Sequence, residues 1–401
     1  MQQVLTGISS LEKALEGSRK VLLVCDSSWP YINIGPEIES AIKGIGSPLL
    51  KFNDFASNPL YESVCKGVEV FNSSGCDTIL AVGGGSSIDV AKCIKLFCRL
   101  SPDALYFKQQ YADSGIKLIA IPTTAGTGSE STRYAVIYYE GAKQSITHSS
   151  IVPDYAILEP SVLESLPVYQ KKCTMMDALC QGIESWWSVN ATDESRVYSR
   201  KAIELIMANW QEYIFSCGGD TVSTAAKAVM LAANYAGRAI NITQTTAPHA
   251  FSYKLTSLFG LPHGHAVALC LPEIWDFMLD SPSSLPNDPA LSFRPSETSG
   301  RLSIHAVFTD IAHAMGAETP QDAIAMFRSM MSQLDLSKPR LAISSNTTAL
   351  SSGASVISTE AEKSPTLLDT LASSVNPIRL ANNPIPISQQ DARQIYSIIL
   401  S

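Results

Sequence analysis

A candidate metal site is the clearest chemical feature of the sequence. Three of the six histidines in the 401 residues lie within TTAPHAFSYKLTSLFGLPHGH (245–265). Upstream, Asp177 and Gln181 are spaced i, i+4 in a run with helical periodicity, so they share one face of the predicted helix. A carboxylate and an amide on an otherwise apolar face are costly to bury without partners. With His249 and His263 they form a mixed nitrogen and oxygen set, which suits Fe(II), Zn(II), Mn or Co better than Ca or Mg.

A simpler explanation exists for each histidine alone, as a buried side chain or a helix cap. His265 in particular could cap or orient a neighbouring residue. Taken together with Asp177, the histidines favour a metal site. Pro248 and the turn at 262–264 would then position the backbone that presents His249 and His263.

Two turns rich in Gly and hydroxyl residues predict a phosphate site. GGGSSIDVAK (83–92) follows a predicted strand and opens a helix, whose N-terminal N–H groups and partial positive charge favour an anion. PTTAGTGSE (122–130) follows another strand. The first turn lacks the GxGxxG fingerprint, and alone it could be a tight turn without a ligand. Two such loops after parallel strands indicate a nucleotide site.

Asp26 ends the first predicted strand. A carboxylate there can accept hydrogen bonds from a ribose diol and would repel a 2′-phosphate, so it favours NAD over NADP. The alternative is an ordinary turn aspartate.

Alternating strands and helices position these residues. Strands are predicted at 19–26, 47–54, 76–85, 117–124 and 135–140, and helices at 35–44, 60–75 and 87–99. This alternation predicts an α/β domain with a parallel sheet. Amphipathic runs at 173–189, 194–214, 222–238 and 302–315 then predict a helical second half. We expect domains at 1–160 and 161–401, a surface loop at 279–300 and a mobile segment at 344–355.

Composition narrows the class of protein. The net charge of −8 and the lack of a basic stripe argue against nucleic acid as a partner. No apolar run is long enough for a membrane span, and the N-terminal stretch lacks the apolar core of a signal peptide. Nine cysteines without a CxxC pair predict free thiols in a reducing, cytoplasmic setting.

The motifs GGGSSIDVAK, TTAGTGSE, MDALCQGIES and HAFSYKLTSLFGLPHGHA together resemble the iron-dependent (group III) alcohol dehydrogenases over roughly residues 20–275. The resemblance implies a nucleotide-binding α/β domain followed by an all-α domain, in a dehydroquinate synthase-like architecture, and a homodimer. It implies NAD(H) and one divalent metal, Fe(II) first and Zn(II) second. The implied reaction is reversible hydride transfer between the nicotinamide and a small aldehyde, with the metal as a Lewis acid.

The resemblance also assigns residues. Asp177, Gln181, His249 and His263 fall on the metal-binding positions, although the family usually has a histidine at 181. Tyr253 falls on another usual histidine, which leaves Tyr253, His265 or a water as the proton donor. The implied cofactor contacts are Asp26, Gly84, Gly85, Ser86, Asp89, Thr123, Thr124, Thr127 and Lys143.

Gln181, 239–268 and NPIRLANNP (376–384) resemble one branch of the family, the hydroxyethylphosphonate dehydrogenases, which reduce phosphonoacetaldehyde to 2-hydroxyethylphosphonate. An anionic substrate needs a local cation in an acidic protein, and the resemblance offers Arg133, Lys254 and Arg379, with neutral donors from Asn382 and Asn383. The alternatives are a short-chain alcohol or diol dehydrogenase resembling lactaldehyde reductase, a dehydroquinate synthase-like lyase, and a nucleotide-binding protein with a degraded metal site.

Overall fold

The computed structural model describes residues 2–216, 223–281, 303–336, 338 and 365–401. Contacts divide the chain into two compact units. The first unit is Met1–Lys171 with Asn209–Asn241, and the second is Lys172–Ala208 with Ile242–Ser401. The division at residue 160 stays a prediction. The expected segment at 344–355 and nearly all of the expected loop at 279–300 lie outside the described residues.

The first unit contains a parallel sheet. The strands are β1 (Gln3–Thr6), β2 (Val21–Cys25), β3 (Leu50–Phe52), β4 (Thr78–Gly83), β5 (Lys117–Pro122), β6 (Tyr134–Tyr139), β7 (Ala142–Thr147) and β8 (Tyr155–Leu158). Six of them form one sheet in the order β1-β8-β5-β4-β2-β3, with every pair parallel. Strands β2 and β4 are buried along their whole length, which explains their continuous apolar sequences.

The strand predicted at 135–140 is real but lies outside this sheet. It is β6, which pairs antiparallel with β7 in a separate two-stranded sheet. The pattern of one strand indicates neither its partner nor its sheet, because both depend on the rest of the fold.

The helices of the first half follow the predicted alternation. They are α1 (Leu11–Leu15), α2 (Gly35–Gly44), α3 (Tyr61–Ser74) and α4 (Gly85–Phe97). Helix α4 starts two residues before its predicted start, because the backbone turns into the helix directly after β4. A turn this tight brings the N-terminus of α4 to the carboxyl end of the sheet.

The remaining helices are α5 (Val168–Trp187), α6 (Asp193–Phe215), α7 (Thr224–Thr243), α8 (Ala247–Phe259), α9 (His263–Asp280), α10 (Ile304–Met315), α11 (Pro320–Gln333), α12 (Pro365–Ser373), α13 (Pro377–Leu380) and α14 (Gln389–Leu400). Within its described ranges the second unit contains helices and no strand. The predicted architecture, a parallel α/β sheet followed by a helical half, is confirmed.

Helix α7 belongs to the first unit because it contacts the loop that follows β5. Its Asn234 amide donates to Glu130 at 3.0 Å and to Ser131 at 2.7 Å. A Cβ on Gly237 would lie 2.5 Å from the carbonyl oxygen of Gly128, so both glycines are needed where the helix crosses this loop. Helical periodicity alone cannot indicate such a partner.

Composition gave two further predictions, one about membrane spans and one about the cysteines. Among the described residues, none of the helices combines the length and apolarity that a membrane crossing requires. The cysteines that the structure describes are all free thiols, as expected.

Candidate functional site

One face of α5 carries three buried polar side chains. Asp177 and Gln181 are 3% exposed and Glu184 is completely buried. Their spacing of i, i+4 and i+7 places them on the same side of the helix. Buried carboxylates and amides need hydrogen bonds or a cation to offset their desolvation.

Asp177, His249 and His263 meet at one point. Their ligand atoms all lie within 4.8 Å of one another. The Oδ1 atom of Asp177 is 3.3 Å from Nε2 of His249 and 3.9 Å from Nε2 of His263. The two imidazoles pack edge to face, with their ring centroids 5.2 Å apart. Three of the four predicted metal positions therefore come together within the second unit.

Two buried atoms in this cluster lack a hydrogen bond of acceptable geometry. They are Oδ1 of Asp177 and Nε2 of His249, which face each other. A divalent cation would satisfy both atoms, since a carboxylate oxygen and a neutral imidazole nitrogen are ordinary ligands of Fe(II) and Zn(II). The residues present therefore fit the metal that the sequence predicts.

Gln181 lies one helical turn after Asp177. Its side chain hydrogen-bonds to Asp177 and helps to lower the pKa of that carboxyl group. Its role as a fourth ligand stays a prediction.

The charges of the cluster favour its ionised forms. Burial lowers the pKa of His249, but the nearby Glu184 and Asp177 outweigh burial and raise that pKa to about 10. Burial raises the pKa of Asp177, but its close contact with His249 and the charges of the two histidines bring it below its ordinary value. The carboxylates thus create a negative site in which a cation, a proton or a metal, is stabilised.

Glu184 is a buried carboxylate beside a candidate ligand that sequence reasoning missed. Its Oε1 contacts Nδ1 of His249 at 2.5 Å, and its Oε2 accepts hydrogen bonds from the backbone N–H of Thr246 at 2.8 Å and from the Thr246 hydroxyl at 3.0 Å. The i+7 spacing from Asp177 was the available signal, but it shows a shared face and not a contact with the histidine.

Gly264 lets α9 approach α5. A Cβ at this position would lie 2.0 Å from the carbonyl oxygen of Cys173 and 2.9 Å from Cβ of Asp177. Only glycine fits this contact without a backbone shift. Because His263 is the adjacent residue and the first of α9, the close approach sets the position of that imidazole.

The two candidate proton donors differ in their surroundings. The Tyr253 ring stacks on His263, with centroids 6.0 Å apart and planes 14° from parallel. His265 is 5% exposed and lies two residues further along α9, outside the three-residue cluster. Tyr253 therefore neighbours the candidate ligands, and the roles of both residues stay predictions.

The two glycine and hydroxyl turns contact each other in the first unit. Strands β4 and β5 end opposite one another, with Gly83 paired to Pro122. A Cβ on Gly85 would lie 3.0–3.3 Å from the Thr127 side chain, and one on Gly84 would lie 3.4–3.5 Å from Thr124. Ser86 and Thr123 belong to the same two turns, so these predicted cofactor residues share one edge of the sheet.

Asp26 lies beside this edge. Its Oδ2 accepts a hydrogen bond from Ser87 at 3.0 Å, and its Oδ1 accepts from the backbone N–H and hydroxyl of Ser28 at 2.8 and 2.5 Å. The carboxylate is half-buried at the end of β2, as the sequence predicts.

Asp89 and Lys92, both on α4, form hydrogen bonds with the second turn and the residues that follow it. Asp89 accepts hydrogen bonds from the Ser129 hydroxyl at 2.7 Å and from the Val136 backbone N–H at 2.9 Å. Lys92 donates to Ser129, Thr132 and the carbonyl oxygen of Tyr134. Burial lowers the pKa of Lys92 to about 8, against the charges of Asp89 and Glu130.

Both oxygens of Asp89 thus serve the fold, a use that the sequence did not indicate; its predicted cofactor contact stays untested. Burial raises the pKa of Asp89, and the charge of Lys143, on β7, opposes this shift.

The three predicted substrate cations are distributed over both units. Arg133 belongs to the first unit, where its Nε donates to the Tyr134 hydroxyl at 3.2 Å. Lys254 and Arg379 belong to the second, where Arg379 donates to Oε1 of Gln244 at 2.6 Å. The side-chain N–H groups of Asn382 and Asn383 donate to the carbonyl oxygens of Thr245 and Ile385, so both predicted neutral donors also serve the fold.

Known proteins resemble this chain along most of its length. Residues 3–160 match the family described as iron-containing alcohol dehydrogenase, and residues 172–400 match the C-terminal part of the Fe-containing alcohol dehydrogenase family.

Two curated relatives are similar in sequence. The probable alcohol dehydrogenase EutG of Escherichia coli is 34% identical over 224 residues, which are 55% of this chain and 56% of that protein. The phosphonoacetaldehyde reductase of Streptomyces viridochromogenes is 32% identical over 251 residues, 60% of this chain and 62% of that protein. The chain thus spans less than two thirds of the length of either relative.

Solved structures share the fold. The sulfoacetaldehyde reductase from Bifidobacterium kashiwanohense, in complex with NAD+, has a TM-score of 0.81 at 22% identity, covering 100% of this chain and 97% of that one. A 1,3-propanediol oxidoreductase has a TM-score of 0.82 at 22% identity, covering 99% and 97%. At this identity the likeness establishes the architecture alone.

Proposed function

The chain belongs to the iron-containing alcohol dehydrogenase family, and we propose that it is a metal-dependent, NAD(H)-using oxidoreductase that interconverts a small aldehyde and its primary alcohol. The observation that carries the proposal is the cluster of Asp177, His249 and His263, in which two buried ligand atoms lack hydrogen bonds. The metal is Fe(II) in the first instance, with Zn(II) as the alternative.

Asp177, His249 and His263 would hold the metal, with Gln181 as the proposed fourth ligand. When bound, the metal would supply a Lewis acid for the carbonyl oxygen, and NADH would supply a hydride from its nicotinamide. The chain must then supply a proton to the oxygen of the product alcohol. Tyr253 is the first candidate, because its ring stacks on His263. His265, which is buried one helical position beyond Gly264, is the second.

The turns at 83–92 and 122–130 would hold the pyrophosphate of NADH. The N-terminus of α4, a helix of 13 residues, offers backbone N–H groups to an anion. Asp26 at the end of β2 would accept hydrogen bonds from a ribose diol, which favours NADH over NADPH.

We propose phosphonoacetaldehyde as the substrate, reduced to 2-hydroxyethylphosphonate. The relative named phosphonoacetaldehyde reductase supports this choice, as does the branch-like sequence around Gln181. A short-chain alcohol dehydrogenase is the second candidate, favoured by the relative named probable alcohol dehydrogenase at 34% identity. Assembly as a homodimer also stays a prediction.

The test measures NADH absorbance over time after the protein has been loaded anaerobically with Fe(II). Phosphonoacetaldehyde should give a steady decrease, with a kcat/KM well above that of propanal. A preference for propanal would move the assignment to the short-chain alcohol dehydrogenase. No steady change in NADH with any aldehyde would remove the oxidoreductase proposal and favour a lyase that regenerates its NAD or a protein that only binds nucleotide.

A further inference from the structure

Glu184 is a fully buried carboxylate in contact with a candidate metal ligand. Helix α5 presents it two turns after Asp177, on the same face. Every group that contacts its oxygens must donate a proton, because an ionised carboxylate only accepts. The protons of this small network can therefore be assigned from the chemistry of the donors.

The donors to Oε2 are fixed first. The backbone N–H of Thr246 can only donate, and it does so at 2.8 Å. The indole N–H of Trp187 also can only donate, and it contacts the Thr246 hydroxyl at 2.8 Å. The hydroxyl therefore accepts from Trp187 and gives its own proton to Glu184 at 3.0 Å. Glu184 also lies at the N-terminus of α8, where backbone dipoles favour a negative charge.

The donor to Oε1 follows. The backbone N–H of His249 is a further, longer donor to Oε2, at 3.5 Å. Oε1 contacts Nδ1 of His249, so this nitrogen carries a proton. An imidazole that binds a metal is neutral, and with its proton on Nδ1 the lone pair is on Nε2. That atom is the one that faces Oδ1 of Asp177 at 3.3 Å.

We propose that Glu184 is a positioning residue, which fixes the ring orientation and the tautomer of His249 so that Nε2 is available to the metal. The backbone N–H of Thr246, which any residue but proline would keep at this position, orients Glu184 in turn. The inference rests on the proposed metal site and adds a residue that does not touch the metal. Carboxylates behind ligating histidines typically change metal affinity 10- to 100-fold when they are altered.

A purely structural role, capping α8, makes a different prediction for Glu184→Gln. To keep the cap, the glutamine must present its oxygen to the N–H of Thr246. Its NH2 group then faces Nδ1 of His249, which must become an acceptor, and the proton of the neutral ring moves to Nε2. The variant can thus keep the helix cap and still lose the metal ligand.

Thr246→Val is the matched control. It removes the hydroxyl from the contact with Glu184 and Trp187 but keeps the backbone N–H and leaves His249 untouched. It should lower the thermal midpoint of the metal-free chain while changing metal affinity by less than about threefold.

The experiment measures the metal affinity of the metal-free protein in the absence of NADH and aldehyde. Zn(II) is titrated in competition with a chelator, and Fe(II) is titrated under anaerobic conditions. Thermal unfolding of the metal-free proteins is measured alongside. We expect Glu184→Gln to weaken the affinity for both metals at least about tenfold, beyond the effect of Thr246→Val. Affinity within threefold of the unaltered chain would overturn the inference.

Two further outcomes are also decisive. If the unaltered chain binds neither metal, the proposed function fails and the inference fails with it. If the unaltered chain binds metal and Glu184→Gln binds equally well, only the inference fails. Should Glu184→Gln not fold, Glu184→Asp replaces it, because the shorter side chain withdraws from His249, and the same tenfold criterion applies.

Discussion

At the scale of single residues, the site depends on which groups surround His249. Asp177 lies on one side of its ring and Glu184 on the other, at 3.3 and 2.5 Å. Both carboxylates are buried, so their charge is poorly screened by solvent and strongly favours a cation between or beside them. This arrangement explains why two carboxylates lie on the buried part of helix α5.

Asp26 gives a prediction about cofactor choice at the same scale. The unaltered chain should use NADH better than NADPH, because the carboxylate repels a 2′-phosphate. Asp26→Ser should reduce the ratio of the two kcat/KM values by about tenfold, which corresponds to about 1.4 kcal/mol. The measurement compares both cofactors at a fixed aldehyde concentration. Asp113→Ser, at an exposed aspartate outside the two turns, is the control that should leave the ratio unchanged. A parent chain that prefers NADPH by about tenfold would contradict the role given to Asp26.

The sequence predicts the ligand residues but not their support. His249, His263 and Asp177 could be selected because histidines are rare in this chain and because a buried carboxylate needs a partner. Glu184 and Gly264 could not be selected, since their roles depend on contacts with Thr246 and Cys173 that only the packed helices create.

At the scale of elements, the packing of α9 on α5 sets the distance between two candidate ligands. Gly264→Ala should destabilise the chain by about 1–3 kcal/mol, because the new Cβ would overlap the carbonyl oxygen of Cys173. It should also weaken Zn(II) binding, since His263 moves with the start of α9. Chemical unfolding and metal titration check both effects.

Gly44→Ala is the matched control for this prediction. Gly44 ends α2, and nothing lies within 4 Å of the position that its Cβ would occupy. Alanine there should be neutral or stabilising by up to about 1 kcal/mol. Equal effects of the two substitutions on stability and metal binding would show that the contact with Cys173 does not position the ligand.

Lys92 gives a pH-dependent prediction for the element that carries the first turn. Its pKa is lowered from 10.5 to about 8 in the folded chain. Between these two values the unfolded chain binds more protons, so this group makes the free energy of unfolding rise with pH. The charged groups that face it are Asp89 on the same helix and Glu130 at the end of the second turn.

The difference in unfolding free energy between the unaltered chain and Lys92→Met should therefore increase by about 1 kcal/mol from pH 7 to pH 9. Taking the difference removes the contributions of the other titrating groups. Lys227→Met, at an exposed position of α7, is the control and should show no such trend. A flat or decreasing difference for Lys92→Met would contradict the lowered pKa.

Long helices with a clear hydrophobic periodicity could be predicted from the sequence, but very short strands could not. The runs at 173–189 and 194–214 became α5 and α6 within a few residues. The four-residue strands β1 and β8 were missed, because so few residues carry no distinguishable period and their strand state depends on neighbours in the sheet.

At the scale of the whole molecule, the predicted substrate cations test the phosphonate proposal. Losing the cation that holds a phosphonate should cost about 2 kcal/mol of transition-state binding, roughly thirtyfold in kcat/KM. Neutral propanal should be barely affected. We therefore expect Arg133→Ala or Lys254→Ala to impair phosphonoacetaldehyde selectively.

Arg379→Ala should differ from the other two. Its guanidinium donates to Gln244, which precedes Thr245 and Thr246 in the segment that leads to His249. Losing this contact should lower kcat/KM on both aldehydes. Steady-state kinetics with the two substrates distinguish these cases. Parallel losses on both substrates for all three variants would exclude these cations as groups that bind a phosphonate.

The central claim is that Asp177, His249 and His263 hold a catalytic metal, and His263→Ala tests it most directly. His263 is the most accessible of the three, with 39% of its side chain exposed, so alanine should disturb the fold little. The measurement is the metal content of the purified chain after Fe(II) loading, together with the rate of NADH oxidation by aldehyde and the binding of NADH. We predict that the variant loses metal and turnover and still binds NADH as the unaltered chain does. Retention of both metal and turnover in His263→Ala would contradict the account.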